Sequence, residues 1–136
     1  MSLNIAALLN IPFKIAQNRL IEDLAVAGYG DIRAAHGAVF AYLGKDGEMI
    51  ATLARRSQQS KQAIHKLVVY LEERGYVNRV DHDSDGRANL VILTEKGRAA
   101  VIVAEKSIAQ TEAMWEKKLS PKRMAALRQT LTDLIQ

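Results

Sequence analysis

Lys61, Gln62, His65 and Lys66 stand at spacings that bring them onto one face of a helix, where they form a compact surface rich in hydrogen-bond donors. Glutamine can bond an adenine edge through two hydrogen bonds, lysine reaches guanine acceptors or phosphate, and histidine does either according to its protonation. A helix with a polar N-terminal half of this kind suits the DNA major groove. A plain solvated helix face would show the same residues, and these residues alone do not separate the two. Arg55, Arg56 and Arg79 flank the run and could meet phosphates, which contribute affinity rather than sequence choice. Arg87 stands further on among Asp81, Asp83 and Asp85, on a polar stretch containing Gly86. An arginine on a protruding loop can enter the minor groove, and Asp85 can hold its guanidinium in a planar fork. The alternative is an Asp85–Arg87 pair across a solvated turn, contributing roughly 0 to 1 kcal/mol.

Catalytic chemistry finds no comparable support. His36, His65 and His82 are the only histidines, and none has the spacing of paired metal ligands on a helix. Asp81, Asp83 and Asp85 alternate as calcium ligands do, yet the remaining spacing and terminal glutamate of a calcium loop are missing. There is no glycine-rich phosphate loop and no nucleophile elbow. The absence of cysteine excludes disulfides, thiolate metal sites and thiol-based sensing. The expectation is a non-enzymatic protein with no metal and no cofactor.

The elements that must position the donor face can be read around it. Ile50, Leu53 and Ala54 repeat at helical spacing and predict a short helix that Arg55 and Arg56 close, with Ser57, Gln58 and Gln59 as a turn. Ser60 is placed to cap the next helix, whose apolar stripe is Ala63, Ile64, Leu67, Val68 and Leu71, and Gly75 ends it. Tyr76, Val77 and Val80, then Leu90 to Leu93, predict two strands of a β-hairpin. The order is that of a winged helix-turn-helix.

Here the sequence resembles the multiple-antibiotic-resistance-regulator (MarR) family of bacterial transcription factors. The resemblance rests on Leu53-Ala54-Arg55-Arg56, Ser60-Lys61-Gln62-Ala63, Leu71 to Val77, Asp85-Gly86-Arg87 and Leu93 to Gly97, in the family's order and spacing. It implies a homodimer whose two lobes bind a palindromic double-stranded DNA site, as a repressor released by a small aromatic or phenolic ligand. It also implies that the helix over 60–73 enters the major groove and that Arg87 reaches the minor groove. In the family such ligands occupy a crevice between the dimer-forming helices and the DNA-binding lobe. Tyr29, His36, Phe40 and Trp115 are the aromatic or titratable residues expected near it, although residues of these types at such places are more often simply core.

Outside the lobe, a helix is predicted from about Pro12 to Ala27, with Ile15, Leu20, Ile21 and Leu24 on its apolar stripe. Asp31 is the expected cap of a second helix carrying Ile32, Ala35, Val39, Tyr42 and Leu43. Thr94 is the expected cap of a long helix to about Lys118. Ser120-Pro121 opens a last one with Met124, Leu127, Leu131, Leu134 and Ile135. Their apolar surface exceeds what one compact lobe could bury, so they are assigned to a dimer interface, with a helical cap on a monomer as the alternative.

The fold class expected is therefore mostly α with a small β-hairpin wing. A single domain spans 1–136, with the DNA-binding lobe at about 32–98 and helical dimerisation regions at about 5–28 and 99–136. Apolar content of 49% and charged content of 25% are those of a globular protein, and a net charge of +4 favours nucleic acid without establishing it. No apolar run approaches the roughly 20 residues that cross a bilayer, and the N-terminal residues lack the pattern of a cleaved signal, so a cytoplasmic location without membrane association is expected. The competing reading is a winged-helix protein-interaction module that does not bind DNA.

Overall fold

A computed structural model describes residues 2–81 and 89–136, so the expected wing tip with Asp83, Asp85 and Arg87 lies outside the described residues. Helix α1 (Ile5–Val26) opens the fold, with the Asn4 side chain accepting a hydrogen bond from the Ala7 N–H at 2.8 Å. Its start corrects the expectation of about Pro12: Asn4 is the better cap because its carbonyl satisfies a free N–H, and Pro12 sits inside the helix. Ile15 is also corrected, being 58% exposed and off the buried stripe, which runs through Leu20, Ile21 and Leu24.

After Gly28, which turns the chain at φ +99°, comes a 3₁₀ turn (Ala34–His36) running into helix α2 (Gly37–Leu43). Asp31 does not cap this helix. Its carboxylate accepts the Tyr76 hydroxyl and its backbone carbonyl accepts the Tyr70 hydroxyl at 2.5 Å, while the Arg33 N–H is taken by Nδ1 of His36 at 2.8 Å. Val39 and Leu43 bury the inner face of α2.

Strand β1 (Glu48–Met49) leads into helix α3 (Ile50–Ser57), and α4 (Lys61–Glu73) follows. Ser60 caps α4 as expected, its Oγ accepting from the Ala63 N–H at 3.0 Å. Between the helices Gln58 takes a left-handed conformation at φ 57° and closes α3. Leu53 of α3 and Ile64, Val68 and Leu71 of α4 are buried together with Val39, Leu43, Tyr76, Val77 and Val91, and these residues are the core of the lobe.

The hairpin is antiparallel, β2 (Val77–Asp81) on β3 (Asn89–Leu93), with Val77 opposite Leu93 and Arg79 opposite Val91. A third strand was not expected: β1 joins the far edge of β3, with Glu48 opposite Val91, giving the order β1-β3-β2. Two residues are too few for an alternating pattern to show. Gly47 makes the approach possible, since at φ +87° a Cβ there would stand 2.5 Å from the Val91 carbonyl oxygen.

Thr94 then caps α5 (Glu95–Leu119), its hydroxyl accepting from the Gly97 N–H at 3.0 Å and donating to the Gly75 carbonyl. Helix α6 (Pro121–Leu134) is capped by Ser120 and returns along α5, where Arg128 meets Glu112 at 2.7 Å. α1 lies against α5, and the two carry a broad uncovered apolar face. No helix among the described residues is long and apolar enough to cross a membrane.

Candidate nucleic-acid interface

α4 is amphipathic in the sense that positions a groove-reading helix. Its inner positions Ile64, Val68 and Leu71 have no exposed area, while Lys61, Gln62, His65 and Lys66 are all exposed on its outer N-terminal half. Together with Ile50 at the start of α3 they line one open depression. Arg55 and Arg56, exposed in the last turn of α3, add two cations beside it. The Ser60 cap sits at the entry of the same face and leaves the first N–H groups of α4 directed outward, a favourable place for a phosphate oxygen. Sequence and fold thus bring Arg55, Arg56, Ser60, Lys61, Gln62, His65 and Lys66 to one region of the surface.

Arg79 is differently engaged. Its guanidinium donates to Oε1 of Glu72 through Nη2 at 2.9 Å and through Nε at 3.2 Å, and Nη1 donates to Nε2 of His65 at 3.1 Å. The arginine hydrogen bond holds the Glu72 carboxyl below the usual carboxylate range. This half-buried side chain ties β2 to α4 and does not stand in solution as a ready phosphate ligand. Asp85 and Arg87, the expected minor-groove pair, lie outside the described residues.

The four residues proposed from sequence for a ligand crevice do not line one cavity, although Tyr29 and Phe40 both stand edge-on to Tyr76. Tyr29 stands edge-on to Tyr76 with centroids 6.1 Å apart. His36 is buried and stacked on Tyr70 at 4.4 Å, with Nδ1 occupied by the Arg33 N–H; burial first, then Arg33 and Arg74, hold its basicity below the ordinary value. Trp115 lines a separate apolar cleft between α1, α5 and α6 with residues such as Leu8, Phe13 and Leu131. Phe40 alone lines an open-sided cavity of about 320 Å³ between α1, α2 with the segment leading into it, and α5. Its other walls include Leu20, Ile21, Leu24, Ala100 and Ala104, with Arg33 and Glu105 as charged groups at its edge. That volume is at the small end of ligand pockets, which run from roughly 300 to 1,000 Å³. Nothing in the sequence marks these residues as a set, since they come from three helices far apart along the chain.

The cavity wall and α4 are mechanically joined. The segment that supplies Ile32, Arg33, Ala34 and Gly37 to the cavity also presents Asp31 to the hydroxyls of Tyr70 and Tyr76, and His36 to the Tyr70 ring. Arg74 covers the other face of this cluster, its guanidinium carbon 3.4 Å from the Tyr70 ring centre. Burial, reinforced by the bond to Asp31, pushes the Tyr76 phenol well above its ordinary range, so it remains a hydrogen-bond donor.

Comparison with known proteins agrees with this arrangement. A family model described as the MarR family matches residues 31–88. Among solved structures, a MarR transcriptional regulator from Methanosarcina mazei Go1 superposes with a TM-score of 0.81 at 17% identity, over 96% of this chain and 93% of that one. The reduced form of MarR from E. coli superposes with a TM-score of 0.79 at 20% identity, covering 100% of this chain and 99% of the other. A MarR family protein of Mycobacterium tuberculosis in complex with p-aminosalicylic acid gives 0.71 at 22% identity, over 98% and 100%. At these identities the structural likeness is one of fold. No curated protein sequence matches the chain. Over residues 31–88 the chain matches the MarR-family model, and along its whole length it has the winged helix-turn-helix fold of solved MarR-family regulators.

Proposed function

We propose that the protein is a dimeric, sequence-specific DNA-binding transcriptional regulator, acting as a repressor on a palindromic operator and released by a small aromatic or phenolic acid. The observation that carries the reading is α4, with its inner face fully buried and Lys61, Gln62, His65 and Lys66 exposed together beside Arg55 and Arg56. Lys61, Arg55 and Arg56 contact phosphates, while Gln62, His65 and Lys66 discriminate among bases. Arg87 and Asp85 keep the minor-groove role that the family resemblance implies.

A second copy covers the exposed apolar face of α1, α5 and α6, where Leu8, Phe13, Met114 and Leu134 are between 49% and 65% exposed. Dimerisation sets the two α4 helices at the spacing of successive major grooves, roughly 34–36 Å. The ligand occupies the cavity lined by Phe40, with Arg33 as the partner for its carboxylate. The M. tuberculosis relative bound to p-aminosalicylic acid supports that class of ligand.

Selection from a pool of random duplex DNA at several salt concentrations tests the reading. An inverted repeat is expected, with log affinity falling against log salt by about 0.9 per phosphate contact. Small aromatic acids should release the selected duplex. Absence of enrichment at low salt would refute DNA recognition and favour a protein-interaction module.

A further inference from the structure

Arg79 stands one strand away from the recognition face, and its contacts specify more than packing. A guanidinium has only donors, so the nitrogen it meets must be an acceptor. With Nη1 of Arg79 3.1 Å from Nε2 of His65, the proton of the neutral ring is placed on Nδ1. Glu72 holds Arg79 in that orientation through Oε1, at 2.9 Å to Nη2 and 3.2 Å to Nε, and its Oε2 also accepts the Arg79 backbone N–H at 3.3 Å. Nδ1 of His65 has no hydrogen-bond partner among the described residues, and the side chain is exposed beside Gln62 and Lys66.

We propose that Arg79 is a positioning residue which fixes the tautomer of His65, so that the recognition helix offers Nδ1–H as a donor and not a ring acceptor. This rests on the DNA-binding reading for what the donor meets. A donor there selects the acceptor edges of the major groove, which are N7 and O6 of guanine, N7 of adenine and O4 of thymine. It disfavours cytosine, whose groove edge presents only a donor. Arg79 thereby influences base choice without touching a base, which a phosphate-contacting arginine would not do.

The first test needs no DNA. Two-bond ¹H–¹⁵N correlation of the imidazoles above neutral pH, with the His65 signals assigned by their loss in His65→Ala, should show the Nδ1–H tautomer in the wild-type protein. Arg79→Ala should move His65 to the Nε2–H form. A wild-type ring in the Nε2–H form overturns the proposal without any variant, as does an Nδ1–H ring that persists in folded Arg79→Ala. Duplex selection is the second test. The wild-type protein should disfavour cytosine at one position of each half-site by about three- to tenfold, the worth of one hydrogen bond, and Arg79→Ala should relax that position alone. A tautomer change with unaltered base preference would overturn the role in specificity. Failure of the wild-type protein to bind any duplex would instead overturn the DNA-binding reading, while the ring spectra still decide whether Arg79 sets the tautomer.

Discussion

His36 is buried against Tyr70, with its Nδ1 accepting the Arg33 N–H, and each of these features favours the neutral ring. Burial, followed by the charges of Arg33 and Arg74, lowers its proton affinity in the native state below the ordinary value of 6.5. The unfolded chain therefore binds the proton more readily. The stabilising contribution is fully present above pH 6.5 and is lost as pH falls through the lower native value. Urea midpoints measured from about pH 7.5 down to pH 5 should decline more steeply for the wild-type protein than for His36→Asn, whose amide oxygen can still accept from Arg33. Parallel profiles would show that His36 carries none of the pH dependence. Gly97 is a second residue whose meaning is spatial: a Cβ at that position would run into the Tyr76 carbonyl oxygen, so only glycine allows α5 to start against the end of the α4–β2 turn.

α4 depends on its first turn for both order and function, because the Ser60 cap lies beside Lys61 and Gln62. Ser60→Ala should cost about 1 kcal/mol of stability by urea denaturation. A loss near zero would mean that water satisfies the Ala63 N–H as well as the hydroxyl does. The link between α4 and the cavity is also an element-scale property. Tyr70 belongs to α4, and its hydroxyl reaches the Asp31 carbonyl on the segment that walls the cavity. Tyr70→Phe keeps the ring stacked on His36 and removes only that bond, a change of about 0.5–1.5 kcal/mol. The variant should bind the selected duplex as the wild-type protein does, yet require more of an aromatic acid for release in a fluorescence-anisotropy titration. Release at unchanged ligand concentration would show that the signal does not travel through Tyr70.

For the whole molecule, the uncovered apolar face on α1, α5 and α6 is the dominant feature. Leu8 on α1 is 49% exposed and lines the cleft that Trp115, Leu127 and Leu131 continue. Leu8→Glu should leave the protomer folded, since the residue is outside its core, and should shift sedimentation equilibrium from dimer to monomer. A carboxylate buried at an interface without a partner is strongly unfavourable. Duplex affinity should fall with it, because two half-sites are then bound independently. A Leu8→Glu dimer as tight as the wild type would place the interface elsewhere.

What could be read along the chain were the features that depend on near neighbours. Ser60, Thr94 and Ser120 act as helix caps through a hydroxyl and an N–H three residues on, and the burial of Ile64, Val68 and Leu71 follows from helical periodicity. The donor face of α4 is the other side of that same stripe, which is why the helix-turn-helix and the hairpin were legible. Tertiary structure decided what rests on distant partners. Asp31 was expected to cap a helix, but two tyrosines from the other side of the lobe satisfy it instead. Arg79, expected among the phosphate contacts, is held by Glu72 and His65 across the α4–β2 junction. The strand at Glu48–Met49 exists because β3 offers an open edge and Gly47 allows the chain to approach it. Phe40 shares a cavity with Leu20 and Ala104 only when α1 and α5 fold over α2. A cap or an amphipathic stripe is local geometry repeated at a fixed interval, whereas these contacts depend on where separate elements come to rest.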